Sequence, residues 1–209
     1  MEKPTLFLDL DGTKFQTLFA HVVYINHKYG IQSSPIDYAN NPPLQDVIRK
    51  YTPKENHHLI TEDEVYEDIQ VNFLNNKVWV ERIPPMEDMP RVVKELLRKY
   101  ILWTLTARQA GNSDMTWNLI NKHILGCISG IHFVHTKNPN GKGFSKFSKV
   151  EFVKLFPGEK AGFVDDSANE VIQMEDTIPS YLFDPFGFND HVSVQNRLRT
   201  WKEIGDTFL

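Results

Sequence analysis

Apolar and polar positions follow two different periods along the chain, and the two periods alternate. Short, nearly unbroken apolar runs predict strands at residues 5–10, 100–105, 131–134, 161–164 and 181–183. Apolar residues at helical spacing predict helices near residues 15–30, 61–74, 92–97, 114–123, 148–156 and 169–174. Residues 31–53 show no clean period, so only loops and short helices are expected there. Strands that alternate with helices indicate an α/β fold, with a mostly parallel sheet covered on both faces.

Composition narrows the class of protein. The 209 residues are 41% hydrophobic and 24% charged, and their net charge of −4 argues against binding duplex nucleic acid or an anionic membrane. The single cysteine, Cys127, excludes an internal disulfide framework and suits a reducing compartment. No run approaches the roughly 20 apolar residues of a membrane helix, and the first residues lack the form of a signal peptide. We therefore expect a soluble, cytoplasmic protein, and the sequence leaves its oligomeric state open.

Two carboxylates, Asp9 and Asp11, stand at the end of the first predicted strand. Alternate residues of a strand share a face, but a turn at Gly12 would swing Asp11 round. Both acids could then reach one ligand from different sides. Taken alone, the Asp-Gly pair also suits an Asx turn with a purely structural role.

A second acidic pair, Asp165 and Asp166, follows the strand predicted at residues 161–164. In a parallel sheet, both acidic clusters would fall at the same edge. Like charges at such short range persist only with a cation between them, and oxygen ligands favour a hard metal such as Mg²⁺. The alternative is that both clusters are ordinary helix N-caps, a position that Asp favours.

These motifs together resemble the haloacid dehalogenase-like hydrolases, and their phosphatase branch in particular. The likeness spans residues 5–184, and the motifs occur in the family's order. They are Asp9-Leu10-Asp11-Gly12-Thr13, the strand that ends in Thr106, a lysine near a helix start, and Asp165-Asp166. Both Lys149 and Lys146 qualify as the lysine, and Ser148-Lys149 matches the family's pattern better. The resemblance implies a Rossmann-like core of three layers.

The resemblance also implies roles for the acids. Asp9 is the expected nucleophile and Asp11 the expected general acid and base. Asp9, the backbone carbonyl of Asp11 and Asp166 are expected to hold Mg²⁺, with Asp165 as a further or water-mediated ligand. The implied activity is hydrolysis of a small phosphorylated substrate through an aspartyl-phosphate.

The implied phosphate site consists of Thr106, Ala107 and Lys149. The form Thr106-Ala107-Arg108 is similar to that of bacterial and phage nucleotidase-like members, which favours a 5'-nucleotide as the substrate. The alternatives are a sugar-phosphate phosphatase, a phosphomutase, and a non-catalytic binding protein with the same fold. Lys14 stands where many members of the family carry an apolar residue, and we expect it to alter access to the phosphate.

The family places a helical cap between the first and second motifs. This placement implies a cap at residues 19–83 and a catalytic core formed by residues 1–18 and 84–209. Because the core motifs contact only phosphate and metal, the cap is expected to select the leaving group. Tyr24 and Tyr51 are the first candidates for aromatic residues that face the cleft, where they would stack on a nucleobase.

Overall fold

A parallel sheet forms the centre of the protein. The structure, a computed structural model, describes residues 3–39, 42–134 and 147–209. The strands of this part of the chain are β1 (Thr5–Asp9), β2 (Ile101–Thr106), β3 (Gly130–Phe133), β4 (Lys160–Asp165), β5 (Ser180–Phe183) and β6 (Arg197–Leu198). Their order is β3-β2-β1-β4-β5-β6, with parallel neighbours throughout. This is the strand order of a Rossmann-like fold, so the predicted α/β class is confirmed.

Helices fill the connections between the strands. The α-helices of the described residues are α1 (Thr17–Tyr29), α2 (Leu44–Tyr51), α3 (Glu62–Asp68), α4 (Lys77–Val80), α5 (Met89–Leu96), α6 (Ser113–Ile124), α7 (Lys149–Leu155), α8 (Ala168–Met174) and α9 (Trp201–Phe208). Short 3₁₀ segments occur at Pro35–Tyr38, Lys54–Leu59 and Ala110–Asn112, and α3 continues into a π-helical turn at Ile69–Phe73. None of the helices in this part of the chain is long and apolar enough to cross a lipid bilayer.

The central strand β1 contributes to a hydrophobic core on each side of the sheet. Its five residues are all buried, which explains why the three between Thr5 and Asp9 are apolar without alternation. Successive side chains point to opposite faces, so Leu6 and Leu8 join one core while Phe7 joins the other. Helices α5, α6 and α9 contribute to the first core, and α7 and α8 contribute to the second. The sheet is therefore the middle of three layers.

Residues 17–83, which contain α1 to α4 and are called the helical segment below, leave and rejoin the rest of the protein at adjacent points. The backbone N–H of Gln16 donates to the carbonyl of Pro84 at 3.0 Å, and that of Met86 donates to the carbonyl of Lys14 at 2.8 Å. The outgoing and returning chains thus lie side by side. The division into a core and a cap at residues 19–83 stays a prediction.

Two elements at the C-terminal end were missing from the sequence prediction, which ended with the strand at 181–183. The strand β6 has only two residues, too few to show any period, and it extends the sheet beyond β5. The helix α9 packs beneath the first motif, where the indole N–H of Trp201 donates to the carbonyl of Thr13 at 2.9 Å. The segment that follows β5 therefore completes the core.

Candidate active site

The two acidic clusters lie at the same edge of the sheet. Strands β1 and β4 are parallel neighbours with Leu8 opposite Val164, so Asp9 and Asp165 end adjacent strands. Carboxylate oxygens of Asp9, Asp165 and Asp166 all lie within 4.8 Å of one another. The structure thus brings together the acids that the sequence placed at this edge.

Gly12 forms the turn that allows Asp166 to approach the first motif. Its φ of 77° lies in the left-handed region that favours glycine. A Cβ at this position would lie 2.0 Å from Oδ2 of Asp166. Any side chain is therefore excluded twice, by the backbone conformation and by the neighbouring carboxylate.

Lys149 bridges the two acidic clusters. Its Nζ donates to Oδ1 of Asp9 at 2.8 Å and to Oδ2 of Asp165 at 2.6 Å. Ser148 caps the N-terminus of α7, which fixes the start of the helix that carries the lysine. Burial alone would lower the pKa of Lys149, but the two carboxylates outweigh it and raise that pKa above its usual value. Lys149 is therefore a cation between the nucleophile candidate and its neighbour.

The acidic cluster fits a divalent cation. Burial raises the pKa of Asp9 to about 7; Lys149 opposes this shift, and repulsion from Asp165 and Asp11 adds to it. Burial and the charge of Asp9 likewise raise the pKa of Asp166 well above its usual value. A cation between Asp9 and Asp166 would relieve this repulsion, and the carboxylate oxygens are donors of the kind that Mg²⁺ prefers. The residues present therefore suit the predicted magnesium site.

Arg108 holds Asp11, a contact that the sequence did not predict. The Nε and a terminal nitrogen of Arg108 donate to the two carboxylate oxygens of Asp11 at 2.8 and 2.7 Å. The hydroxyl of Thr17 donates to the same carboxylate. Burial would raise the pKa of Asp11, but Arg108 outweighs it, and the pKa lies below its usual value. Asp11 is thus an oriented carboxylate in this structure.

The predicted phosphate-binding residues lie at the same edge of the sheet as the acids. Thr106 ends β2 beside β1, and its hydroxyl accepts a hydrogen bond from the backbone N–H of Arg108 at 3.3 Å. Ala107 follows it and lines the same cavity as Asp11. The alternative lysine, Lys146, lies outside the described residues. The roles of Thr106, Ala107 and Lys149 stay predictions.

Lys14 does not lie on the path to the phosphate, contrary to our expectation. The residue is fully buried, and its Nζ donates to the carbonyls of Leu8 and Asp9, both at 2.8 Å, and to the hydroxyl of Thr104 at 3.1 Å. These three acceptors match the three N–H bonds of an ammonium group. The side chain turns into the sheet because it finds its hydrogen-bond partners between β1 and β2.

A cavity of about 340 Å³ lies between the acidic edge and the helical segment. The core contributes Asp11, Gly12, Ala107, Arg108 and Asp166. The loop after β5 adds Phe188 and Asn189. The helical segment supplies an apolar group, Leu18, Leu44, Ile69 and Leu74, and three polar side chains, His21, Tyr38 and Gln70. The cavity therefore has a charged end and a neutral end.

The aromatic residues chosen from the sequence do not face this cavity. The hydroxyl of Tyr24 donates to Asp68, and its ring packs against Phe73 and Trp79 in the core of the helical segment. Tyr51 is 38% exposed and donates to Asp37. Tyr38 lines the cavity instead. Side-chain direction in this segment depends on how its short helices pack, which the sequence pattern does not reveal.

The parallel sheet, the acidic ends of β1 and β4, and the buried lysine at the start of α7 define a class of protein. They form the core of the haloacid dehalogenase-like hydrolase fold, as the motifs predicted. Arg108 and the loop after β5 were missed as parts of the site. Arg108 alone had a signal, since it directly follows two predicted phosphate ligands.

Solved structures of this class match the whole chain. A haloacid dehalogenase-like family hydrolase from Streptococcus pneumoniae has a TM-score of 0.66 and 16% identity, covering 99% of each chain. A candidate phosphoglycolate phosphatase from Lactobacillus delbrueckii has a TM-score of 0.68 and 12% identity, covering 100% of this chain and 99% of that one. A candidate hydrolase of this class from Bacillus subtilis, bound to magnesium, has a TM-score of 0.61 and 11% identity, with the same coverage.

The sequence comparisons add no closer relationship. No protein-family model matches the sequence, and no curated protein matches it. At the identities given above, the structural matches show the fold. They confirm the predicted likeness to haloacid dehalogenase-like hydrolases at that level, and the likeness to nucleotidases stays a prediction.

Proposed function

We propose that this protein is a magnesium-dependent phosphatase that hydrolyses a small phosphate monoester through an aspartyl-phosphate on Asp9. The observation that carries the proposal is the cluster at the sheet edge, where Asp9 and Asp166 lie beside the Lys149 cation and Asp11 lines the adjoining cavity. This set contains a nucleophile, an acid and base, and positive charge for a phosphate. The haloacid dehalogenase-like fold supports the same chemistry.

The reaction has two displacements. A carboxylate oxygen of Asp9 attacks phosphorus, the bond to the leaving oxygen breaks, and protonated Asp11 gives that oxygen its proton. Asp11, now a carboxylate, takes a proton from water as the water oxygen attacks the phosphorus of the aspartyl-phosphate. The bond to Asp9 then breaks and inorganic phosphate leaves. Arg108 holds Asp11 in the ionised form that the second displacement needs. The negative charge of a bound phosphate would raise the pKa of Asp11 and so favour the proton that the first displacement needs.

Asp9, Asp166 and the backbone carbonyl of Asp11 would hold the magnesium ion. When bound, the ion would neutralise charge on the phosphate and on the carboxylates. Asp165 accepts hydrogen bonds from Lys149 and from the backbone N–H of Ser167, so we assign it to positioning Lys149 and supporting the site. Thr106, Ala107 and Lys149 would contact the phosphate oxygens.

The neutral end of the cavity favours an uncharged leaving group, and a 5'-nucleotide is the proposed substrate class. Among the described lining residues, Arg108 is paired with Asp11, and burial lowers the pKa of His21 to about 4, so that its ring is neutral. A carboxylate such as that of phosphoglycolate would meet no unpaired cation in this part of the wall. Tyr38 and Phe188 offer aromatic surface to a nucleobase.

The proposal also includes a cap at residues 19–83 that selects the leaving group, and a cytoplasmic location. The apolar and neutral side chains of the helical segment that line the cavity support the first of these. The single cysteine, Cys127, which is free and buried, is compatible with a reducing compartment.

A screen of phosphate esters tests the proposal. Hydrolysis of para-nitrophenyl phosphate should stop in EDTA and return with Mg²⁺, and 5'-nucleotides should be better substrates than sugar phosphates or phosphoglycolate. Preference for a sugar phosphate would retain the phosphatase and refute the nucleotidase. Failure of the folded protein to hydrolyse any ester would leave the binding protein as the explanation.

A further inference from the structure

A chain of hydrogen bonds runs from Asp11 into the helical segment. Beyond its two bonds to Asp11, Arg108 donates from its other terminal nitrogen to the hydroxyl of Thr116 at 3.3 Å. That hydroxyl donates to the backbone carbonyl of Asn112 at 2.8 Å. The side-chain amide of Asn112 then donates to Oε1 of Gln70 at 2.9 Å. The last residue belongs to the helical segment, and the others belong to the core.

The side chains that form this series of hydrogen bonds beyond Asp11 are all buried. Arg108 is 1% exposed, and Thr116, Asn112 and Gln70 are buried as well. Removing a hydrogen-bond partner costs more free energy at a buried polar group than at an exposed one, because no water replaces the missing bond. The position of the Arg108 guanidinium therefore depends on Thr116 and the hydrogen bonds beyond it as well as on Asp11.

Gln70 occupies an unusual backbone position. It lies in the π-helical turn Ile69–Phe73, and such turns often occur at functional sites. Its Oε1 accepts a second hydrogen bond, from the backbone N–H of Gln109 at 3.2 Å. Two hydrogen bonds from the segment after β2, which carries Arg108, thus reach the helical segment at the same carboxamide oxygen.

We infer that Arg108, Thr116, Asn112 and Gln70 are positioning residues that orient Asp11 toward the leaving oxygen. The inference rests on the proposed phosphatase activity. A general acid and base must lie within hydrogen-bond reach of the atom it serves, and the paired N–H groups of Arg108 fix both oxygens of Asp11. The hydrogen bond that Gln70 accepts from Asn112 makes that orientation depend on how the helical segment packs against the core.

The dependence of rate on the leaving group tests this inference. An alkyl phosphate has a poor leaving group that needs a proton, whereas para-nitrophenolate leaves without one. We expect Thr116→Val to lower kcat/KM for alkyl phosphates at least tenfold more than for para-nitrophenyl phosphate. Thr116→Ser, which keeps the hydroxyl, should show the same dependence of kcat/KM on the leaving group as the wild-type protein. Gln70→Ala should act in the same direction with a smaller effect, because the two hydrogen bonds that it removes lie further from Asp11 than Thr116 does.

Two variants separate this role from others. Gln70→Met keeps the length of the side chain and loses the acceptor oxygen, so it should change the rates in the same way as Gln70→Ala if Gln70 acts through Asn112. Asn72→Ala is the matched control, since the exposed Asn72 lies in the same turn and donates to Asp68 instead. Melting temperatures of all variants show whether each protein is folded.

The possible results are distinguishable. Equal losses with alkyl and aryl esters in a folded Thr116→Val protein, or no loss, would overturn the positioning role and leave the phosphatase proposal intact. A wild-type protein that hydrolyses no ester would refute the proposed function, and the positioning role with it.

Discussion

The two walls of the cavity differ in the side chains that form them. The core wall carries charge, and its acids are held by specific partners, Asp9 by Lys149 and Asp11 by Arg108. The wall from the helical segment is mostly apolar, and its histidine is neutral. Under the proposed function, the chemistry at the phosphate would depend on a few charged residues at the sheet edge, while selection of the leaving group would depend on packing.

The walls also differ in how they tolerate change. Removing one member of a buried ion pair leaves the other unpaired, which costs several kcal/mol. Replacing one apolar side chain in the other wall changes shape and contact area but leaves no buried charge. Substitutions in the core wall should therefore affect every substrate, and those in the helical segment should discriminate among substrates.

The largest effect is expected from Asp9→Asn. The substitution is nearly isosteric and removes the nucleophile, so phosphate release should fall by more than about a thousandfold, as it does when other covalent enzymes lose their nucleophiles. Release of phosphate from a 5'-nucleotide and from para-nitrophenyl phosphate should fall alike. Wild-type turnover in a folded variant would rule out the covalent mechanism.

Gly12→Ala and Gly30→Ala introduce the same kind of backbone strain, the first at the acidic edge of the sheet and the second in the helical segment. Both glycines have a positive φ, 77° and 63°, so the backbone conformation alone should make alanine cost about 1–2 kcal/mol of stability at each site, with a further loss at Gly12 from the contact with Asp166, measured by denaturant unfolding. Only at Gly12 would the new Cβ meet Asp166, since nothing lies within 4 Å at Gly30. We expect Gly12→Ala to weaken Mg²⁺ binding in calorimetry and Gly30→Ala to leave it unchanged. Equal Mg²⁺ affinities would place the metal elsewhere.

An intermediate and selective effect is expected from Tyr38→Leu. If the ring of Tyr38 stacks on a nucleobase, its loss should reduce kcat/KM for a nucleotide by about 1–3 kcal/mol, roughly 5- to 150-fold. The rate with para-nitrophenyl phosphate should change far less. Tyr51→Leu serves as the control, because Tyr51 lies in the same segment and outside the cavity lining. Parallel losses with both substrates would indicate a packing defect.

The smallest effects should come from two helix caps of the same form. Thr61 caps α3 in the helical segment, and Ser148 caps α7 next to Lys149. Alanine at either position should lower the free energy of unfolding by about 1 kcal/mol. Ser148→Ala should also raise KM, because the helix start that holds Lys149 loosens. A rise in KM for Thr61→Ala as well would mean that the cap effect is not specific to the phosphate site.

The sequence by itself determined the class of fold and the acidic edge of the sheet. Apolar runs and helical spacing are local properties, so they revealed β1, β2, β4, α6 and α7. Asp9, Asp11, Asp165 and Asp166 could be assigned to one edge, because parallel strands bring their carboxyl ends together. The lysine candidate Lys149 followed from the family resemblance together with its position at a predicted helix start.

The tertiary structure decided which distant residues meet. Arg108 and Asp11 are 97 residues apart, and Lys149 and Asp9 are 140 residues apart, so no local pattern could pair them. The same holds for β6 and for the short helices α2 and α4, since elements of this length are stabilised by packing more than by their own periodicity. Tyr38 and Gln70 face the cavity for that reason, because the packing of short helices against the core sets their direction.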